Sequence, residues 1–167
     1  MAEPVREAVL AAARGWLGTP YRHQGSCRGA GADCLGLLRG VWREVMGAEP
    51  APVPAYTADW AEREDGERLL KAARAHLMEI TPEVACPGDV VVFRLKDAGA
   101  AKHVAILTAR GEDGLEGGRI IHAYSGHAVC ETALSAPWAR RLAGVFAFPG
   151  AFLGGFAGAY PGEGEVG

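Results

Sequence analysis

Long apolar runs are missing from this chain of 167 residues: nowhere do about 18 uninterrupted apolar residues occur, so a membrane-spanning helix is excluded on length. The N-terminal run MAEPVREAVLAAARGWLG is broken by Arg6, Glu7 and Arg14 and lacks the continuous apolar stretch of an export signal. A protein made in the cytoplasm without a signal peptide is therefore expected. Charge of one sign is scarce as well. The 17 lysines and arginines against 20 aspartates and glutamates leave a formal net charge of −3, which gives no general attraction to nucleic acid or to an anionic membrane. Neither is an expected partner. Cysteine is sparse, at positions 27, 34, 86 and 130, and no Cys-x-x-Cys pair occurs, so no zinc site, redox motif or disulfide framework is implied. No metal or cofactor is expected.

What remains is the composition of one ordinary globular domain with a real core, 49% hydrophobic and 22% charged. Val5, Val9, Leu10, Ala13 and Leu17 recur at helical spacing until Gly18, Thr19 and Pro20 stop the pattern, which gives a first helix. Residues 21–32, rich in glycine and polar groups, read as a loop. A second helix is expected to begin near Asp33 or Cys34 and to stop at Gly47, with Leu35, Leu37, Leu38, Val41, Trp42 and Val45 forming a broad apolar face. The proline-rich stretch AEPAPVPAYTADW reads as an extended surface crossing. A third helix is expected over roughly residues 66–80.

Beyond Pro87 and Gly88 the texture changes to short β-rich runs, DVVVFRL, HVAILTA, RIIHAY, AVCETAL and LAGVFAF. Helices first and strands later predict an α+β domain, with N-terminal helices packed on a central antiparallel sheet. From residue 150 the chain reads GAFLGGFAGAYPGEGEVG, in which Phe152, Phe156 and Tyr160 recur every four residues. The chain thus divides into a domain over residues 1–149 and a glycine-aromatic tail over 150–167, read as a segment that docks on its own domain or on a partner.

Chemistry concentrates in GADCLGL, residues 31–37, where Cys34 sits between a flexible loop and an apolar helix. Free backbone N–H groups and the positive end of a helix dipole favour a thiolate, so a lowered thiol pKa is expected. Gly31 and Gly36 are expected to leave room for a substrate backbone. A thiol nucleophile needs a base, and two of the five histidines have suitable positions. His103 opens HVAILTA and His122 lies late in RIIHAY, so an antiparallel hairpin brings both to one end of the sheet. Directly opposed there, their Cβ atoms would lie about 5 Å apart. The triad expected is Cys34, His103 and His122, with His103 taking the thiol proton and His122 fixing its tautomer by one hydrogen bond.

Each of these residues has a plainer reading. Cys34 as an ordinary buried cysteine is outweighed by the loop–helix junction and the two histidines, while His122 as a satisfied core histidine competes more closely. Cys27, Cys86 and Cys130 read as structural, since none starts a helix beside a histidine. Asp33 reads as a helix cap and Asp89 as a turn residue. Arg39 and Arg43 read as a solvated face or a partner contact. His23 is placed in the cleft, and Tyr21 is divided between substrate contact and core packing.

The ordered series GTPY (18–21), DCLGL (33–37), PGDVVVF (87–93), HVAIL (103–107) and IHA (121–123) resembles the NlpC-type family of papain-like cell-wall endopeptidases. The resemblance covers most of residues 7–148. It implies a papain-like fold and hydrolysis of amide bonds in peptidoglycan stem peptides, commonly between D-glutamate and the following diamino acid. It also implies that Tyr21 lines the oxyanion site with the Cys34 N–H, with Asp33 and Gly36 beside it. Many members carry serine after the nucleophile where this chain has Leu35. The string DCLGLLRGVWRE is more similar to the peptidases of phage tails and gene transfer agents, which implies tail hub or baseplate proteins as partners and action on the periplasmic wall of a target cell. Two competing readings are a non-catalytic tail subunit that keeps the fold, and a related thiol amidase or acyltransferase.

Overall fold

The computed structural model describes residues 3–52, 67–97 and 99–151. Its elements run α1 (Pro4–Gly15), β1 (Ser26–Cys27), β2 (Gly31–Ala32), α2 (Cys34–Met46), α3 (Arg68–His76), β3 (Met78–Ile80), a 3₁₀ turn (Pro82–Val84), β4 (Val90–Arg94), β5 (Ala101–Ala109), β6 (Arg119–His122), β7 (Cys130–Ala133), α4 (Ala136–Arg140) and β8 (Leu142–Ala147). Helices precede strands and the main sheet is antiparallel throughout, in the order β3-β8-β4-β5-β6-β7. The α+β class expected from the sequence is the class observed. No helix among the described residues is long and apolar enough to cross a membrane.

Strand β4 reads Val90, Val91, Val92, Phe93 because the sheet is covered on both faces, so alternate side chains enter different cores. On the helix side Val90, Val92, Val104, Ile106 and Ile121 pack against Val9, Leu37, Val41 and Leu70. On the other side Val91, Phe93, Ala105, Leu107 and Ile120 pack with Leu134, Leu115 and Trp138. Helix α2 lies close on α1 because Gly40 carries no side chain: a Cβ there would fall 2.0 Å from Trp16 Cζ2. A buried ion pair ties the N-terminal helix to the head of the sheet, Arg6 Nε and Nη2 donating to the two Asp89 oxygens at 2.8 and 2.9 Å. Asp89 also accepts from Cys86 N at 2.8 Å, so it does more than shape a turn.

Three boundaries differ from expectation. The loop over 21–32 contains the small β1–β2 hairpin. Helix α3 stops at His76, and residues 78–80 form an edge strand paired with β8, Met78 opposite Ala147. The reason is tertiary: Leu77 is extended at φ −116 and ψ 167, and the open edge of β8 supplies backbone partners that a longer helix would leave unpaired. Helix α4, started by Ala136 and Pro137, falls in a segment without marked periodicity. Arg39 and Arg43 both bond to Glu49, and Arg43 also donates to Ser26 O at 2.6 Å, so they clamp α2 to its surroundings rather than form a solvated face. Most of the proline-rich crossing and the tail from Phe152 onward lie outside the described residues. Ala151 is buried and its N–H bonds to Phe148 O at 3.1 Å, so the packed body runs at least that far.

Candidate active site

Asp33 is the residue around which the loop before Cys34 is built. Its Oδ1 accepts from Gly36 N at 2.7 Å, capping α2, and its Oδ2 accepts from Gln24 N at 2.8 Å, drawing the loop onto the helix end. His23 Nδ1 stands 3.9 Å from the same oxygen. Cys34 is the first residue of α2. It shares a cleft of about 260 Å³ with Tyr21, His23, Asp33, Leu35, Lys102, His103 and Tyr124, among others. Its Sγ lies 4.0 Å from Lys102 O.

Gly36 does not line this cleft. A Cβ on it would lie 1.7 Å from Gly25 O, and one on Gly31 would lie 2.6 Å from Arg22 Cβ. The bare backbone at both positions admits the protein's own loop, which corrects the expectation that it leaves room for substrate.

His103 and His122 are brought together, but not as directly opposed residues. Ile106 pairs with Ile121, so one step along the ladder sets Ala105 opposite His122. The two histidines are diagonal neighbours on the face away from α2's core, with the small Ala105 between them. His103 Nε2 and His122 Nδ1 are 2.8 Å apart. His122 Nε2 in turn lies 2.9 Å from Thr132 Oγ1, a contact to β7 that sequence reasoning missed. His103 Nδ1 has no hydrogen-bond partner among the described residues, where no buried side-chain nitrogen or oxygen goes unsatisfied. With Nε2 engaged by His122, Nδ1 is the ring nitrogen left for the thiol in the cleft that both residues line.

An aromatic box encloses the pair. Trp138 of α4 stacks on His103 with ring centres 5.1 Å apart and an interplanar angle of 26°. Tyr124 meets His103 edge-on at 5.6 Å, and Phe93 lies 6.3 Å away on the next strand. Both histidines are 3% exposed. Burial, helped by the neighbouring His122, pushes the His103 pKa down to about 3. Burial and then His127 push that of His122 down to about 4.

The thiol moves the other way from what its helix end suggests. Burial raises the Cys34 pKa to about 11, and the Asp33 carboxylate adds to the rise, while backbone hydrogen bonds at Val104, Leu35 and Cys34 oppose it. Desolvation outweighs the helix end here because the sulfur is held down among β5 and the loop. Both shifts favour the neutral forms, thiol and imidazole alike.

Tyr21 lies across the cleft, bridged to Ala32 through the backbone and bonded through its side chain to Ser125. Burial and the nearby Asp33 and Cys34 raise its pKa, which keeps the phenol protonated as a donor. Ser125 is a second residue without a local sequence signal. Cys27 is exposed, Cys86 and Cys130 half-buried, and all four cysteines are free thiols. Among the described residues no group of three His, Cys, Asp or Glu side chains is placed to hold a metal ion.

The model of the NlpC/P60 family matches residues 18–147. No curated protein matches the chain. Among solved structures, an NLP/P60-family protein similar to lipoprotein from Staphylococcus aureus aligns at TM-score 0.57 and 22% identity, over 89% of this chain and 42% of that one. The NlpC/p60 domain of the peptidoglycan hydrolase SagA aligns at TM-score 0.56 and 22% identity, over 86% of this chain and 98% of that domain. NlpC1 of Trichomonas vaginalis aligns at TM-score 0.60 and 19% identity, over 89% and 45%. The chain thus spans less than half the length of the first and last of these proteins. At such identities the likeness speaks for the fold, which is papain-like, with helices on an antiparallel sheet. With its family model running from the start of the GTPY motif to the end of β8, the chain belongs to the NlpC/P60 family.

Proposed function

We propose that the protein is a cysteine endopeptidase that hydrolyses amide bonds in peptidoglycan stem peptides, with Cys34 as nucleophile, His103 as base and His122 as the residue that orients it. The observation carrying this reading is the arrangement of one thiol and one imidazole on a shared cleft, with the imidazole's far nitrogen 2.8 Å from a second histidine. Membership of a family of cysteine peptidases that act on peptidoglycan supports the substrate class.

The raised thiol and lowered imidazole pKa favour general-base activation over a standing ion pair. As a carbonyl carbon approaches Sγ, His103 Nδ1 takes the thiol proton and sulfur attacks. The developing oxyanion sits near the Cys34 backbone N–H and the Tyr21 phenol, two donors that gain strength as charge appears there. His103 then passes its proton to the leaving amine, and water admitted to the cleft hydrolyses the thioester. Asp33 holds the helix end and loop in register for these steps. Leu35 lines the cleft and offers substrate an apolar contact where a hydroxyl is common in the family.

The bond proposed as target is that between D-glutamate and the next diamino acid. The protein is proposed to be carried on a phage-like or gene transfer agent tail tip, held there by hub or baseplate proteins and acting on the periplasmic wall of the recipient cell. That part rests on the similarity of residues 33–44 to such peptidases. Digestion of purified sacculi, followed by mass spectrometry of the released muropeptides, tests the enzymatic reading and identifies the bond. Cys34→Ser is expected to lose about 10³-fold or more of the rate. Normal digestion by that variant would remove Cys34 from the mechanism.

A further inference from the structure

We propose that Thr132 is a positioning residue that ends the histidine relay and selects the imidazole tautomer on which base catalysis depends. The proposal rests on the reading of His103 as the base. Thr132 is the third residue of β7 and stands opposite Ile120, so its hydroxyl reaches His122 diagonally, as His122 reaches His103. The three groups form one chain across three neighbouring strands, with contacts of 2.8 and 2.9 Å.

Each link of that chain holds one hydrogen, so all the links run in the same direction. For His103 Nδ1 to accept a thiol proton it must carry a lone pair, which puts the ring hydrogen on Nε2. Nε2–H then donates to His122 Nδ1, so His122 carries its own hydrogen on Nε2. That N–H points at Thr132 Oγ1, and the hydroxyl oxygen accepts it. The reverse arrangement, with Thr132 donating to His122 Nε2, reverses every link and leaves a hydrogen on His103 Nδ1, where no proton can be taken from a neutral thiol. When His103 becomes an imidazolium, only the first arrangement offers its Nε2–H a lone pair. A hydroxyl serves because it accepts without carrying charge.

Without the oxygen the productive tautomer would leave a buried N–H on His122 unsatisfied, in a protein where no buried side-chain nitrogen or oxygen of the described residues lacks a partner. The His122 hydrogen would then move to Nδ1, and the base would be blocked. Nothing local in the sequence CETAL marks this threonine, because its role arises from the register of β6 against β7.

The test compares Thr132→Val, which keeps the shape and removes the oxygen, with Thr132→Ser, which keeps the oxygen, in the full chain. Long-range ¹H–¹⁵N spectra of the imidazoles read the tautomers directly. Wild type and Thr132→Ser are expected to carry both ring hydrogens on Nε2, and Thr132→Val to shift His122 toward the Nδ1–H form. On sacculi, Thr132→Val is expected to lose about ten-fold or more in kcat with little change in KM, and Thr132→Ser to restore most of it. Unchanged imidazole tautomers in Thr132→Val, or equal losses in Val and Ser variants, would overturn the proposal. Should wild type leave sacculi intact, the substrate reading fails, while the spectra still decide the tautomer.

Discussion

A thiol pushed up to about 11 beside an imidazole pushed down to about 3 has a consequence for pH dependence. On the proposed mechanism, the productive free form holds the proton on sulfur and none on His103 Nδ1. Acid destroys it by protonating a histidine whose folded pKa lies well below the ordinary 6.5, and base destroys it by ionising a thiol whose pKa lies above the ordinary 9.0. The kcat/KM profile of the enzyme is therefore expected to stay level through neutrality, with no inflection near 6.5. A steep acid limb centred at that value would mean that substrate meets a histidine far less buried than this one. Trp138 contributes a stacked face to that burial, so Trp138→Ala is expected to raise the acid limb toward ordinary imidazole values, measurable on the same profile.

At the scale of elements, the site is a meeting of one helix end, one loop and three strands. The loop is held by close backbone approach: Gly25 O occupies the space where residue 36 would place a Cβ. Gly36→Ala is expected to force the loop off the helix end, weaken the Asp33 bonds to Gln24 and Gly36, and cost roughly 1–3 kcal/mol of stability, read by chemical denaturation. Wild-type stability in that variant would mean that the loop shifts freely. Much of this architecture was legible in the sequence. Helices α1 and α2 announce themselves by period, strands β4 to β8 by short β-rich runs, and Cys34, His103 and His122 by their places at a loop–helix junction and on two adjacent strands. What stayed hidden depends on register and on distant packing. Met78–Ile80 looks like the end of a helix until β8 lies beside it. Thr132 looks like any strand threonine, and Trp138 like any helix aromatic, until β7 and α4 set them against the histidines.

At the scale of the whole molecule, one contact joins parts of the chain that are 83 residues apart. Arg6 comes from α1, and Asp89 heads β4, the strand between β8 and β5. Arg6 is 5% exposed and Asp89 fully buried, so removing either partner strands a charge away from water. Gly88 admits the helix because its missing side chain faces Arg6 O, where a Cβ would stand at 2.6 Å. Arg6→Ala is expected to cost about 3–5 kcal/mol, a large part of the roughly 5–15 kcal/mol that holds a domain folded. The paired change Arg6→Met with Asp89→Asn removes both charges while keeping an acceptor for the Cys86 N–H, so it is expected to recover most of that loss. Urea denaturation of the two variants measures the difference. A double variant no more stable than Arg6→Ala would show that shape or hydrogen bonding, rather than a stranded charge, is what the pair contributes. Because this tether anchors the helical layer to the sheet that carries His103, while Cys34 rides on the helix packed against α1, its loss is also expected to loosen the thiol from His103, so that the proposed activity falls in Arg6→Ala and returns in the double variant.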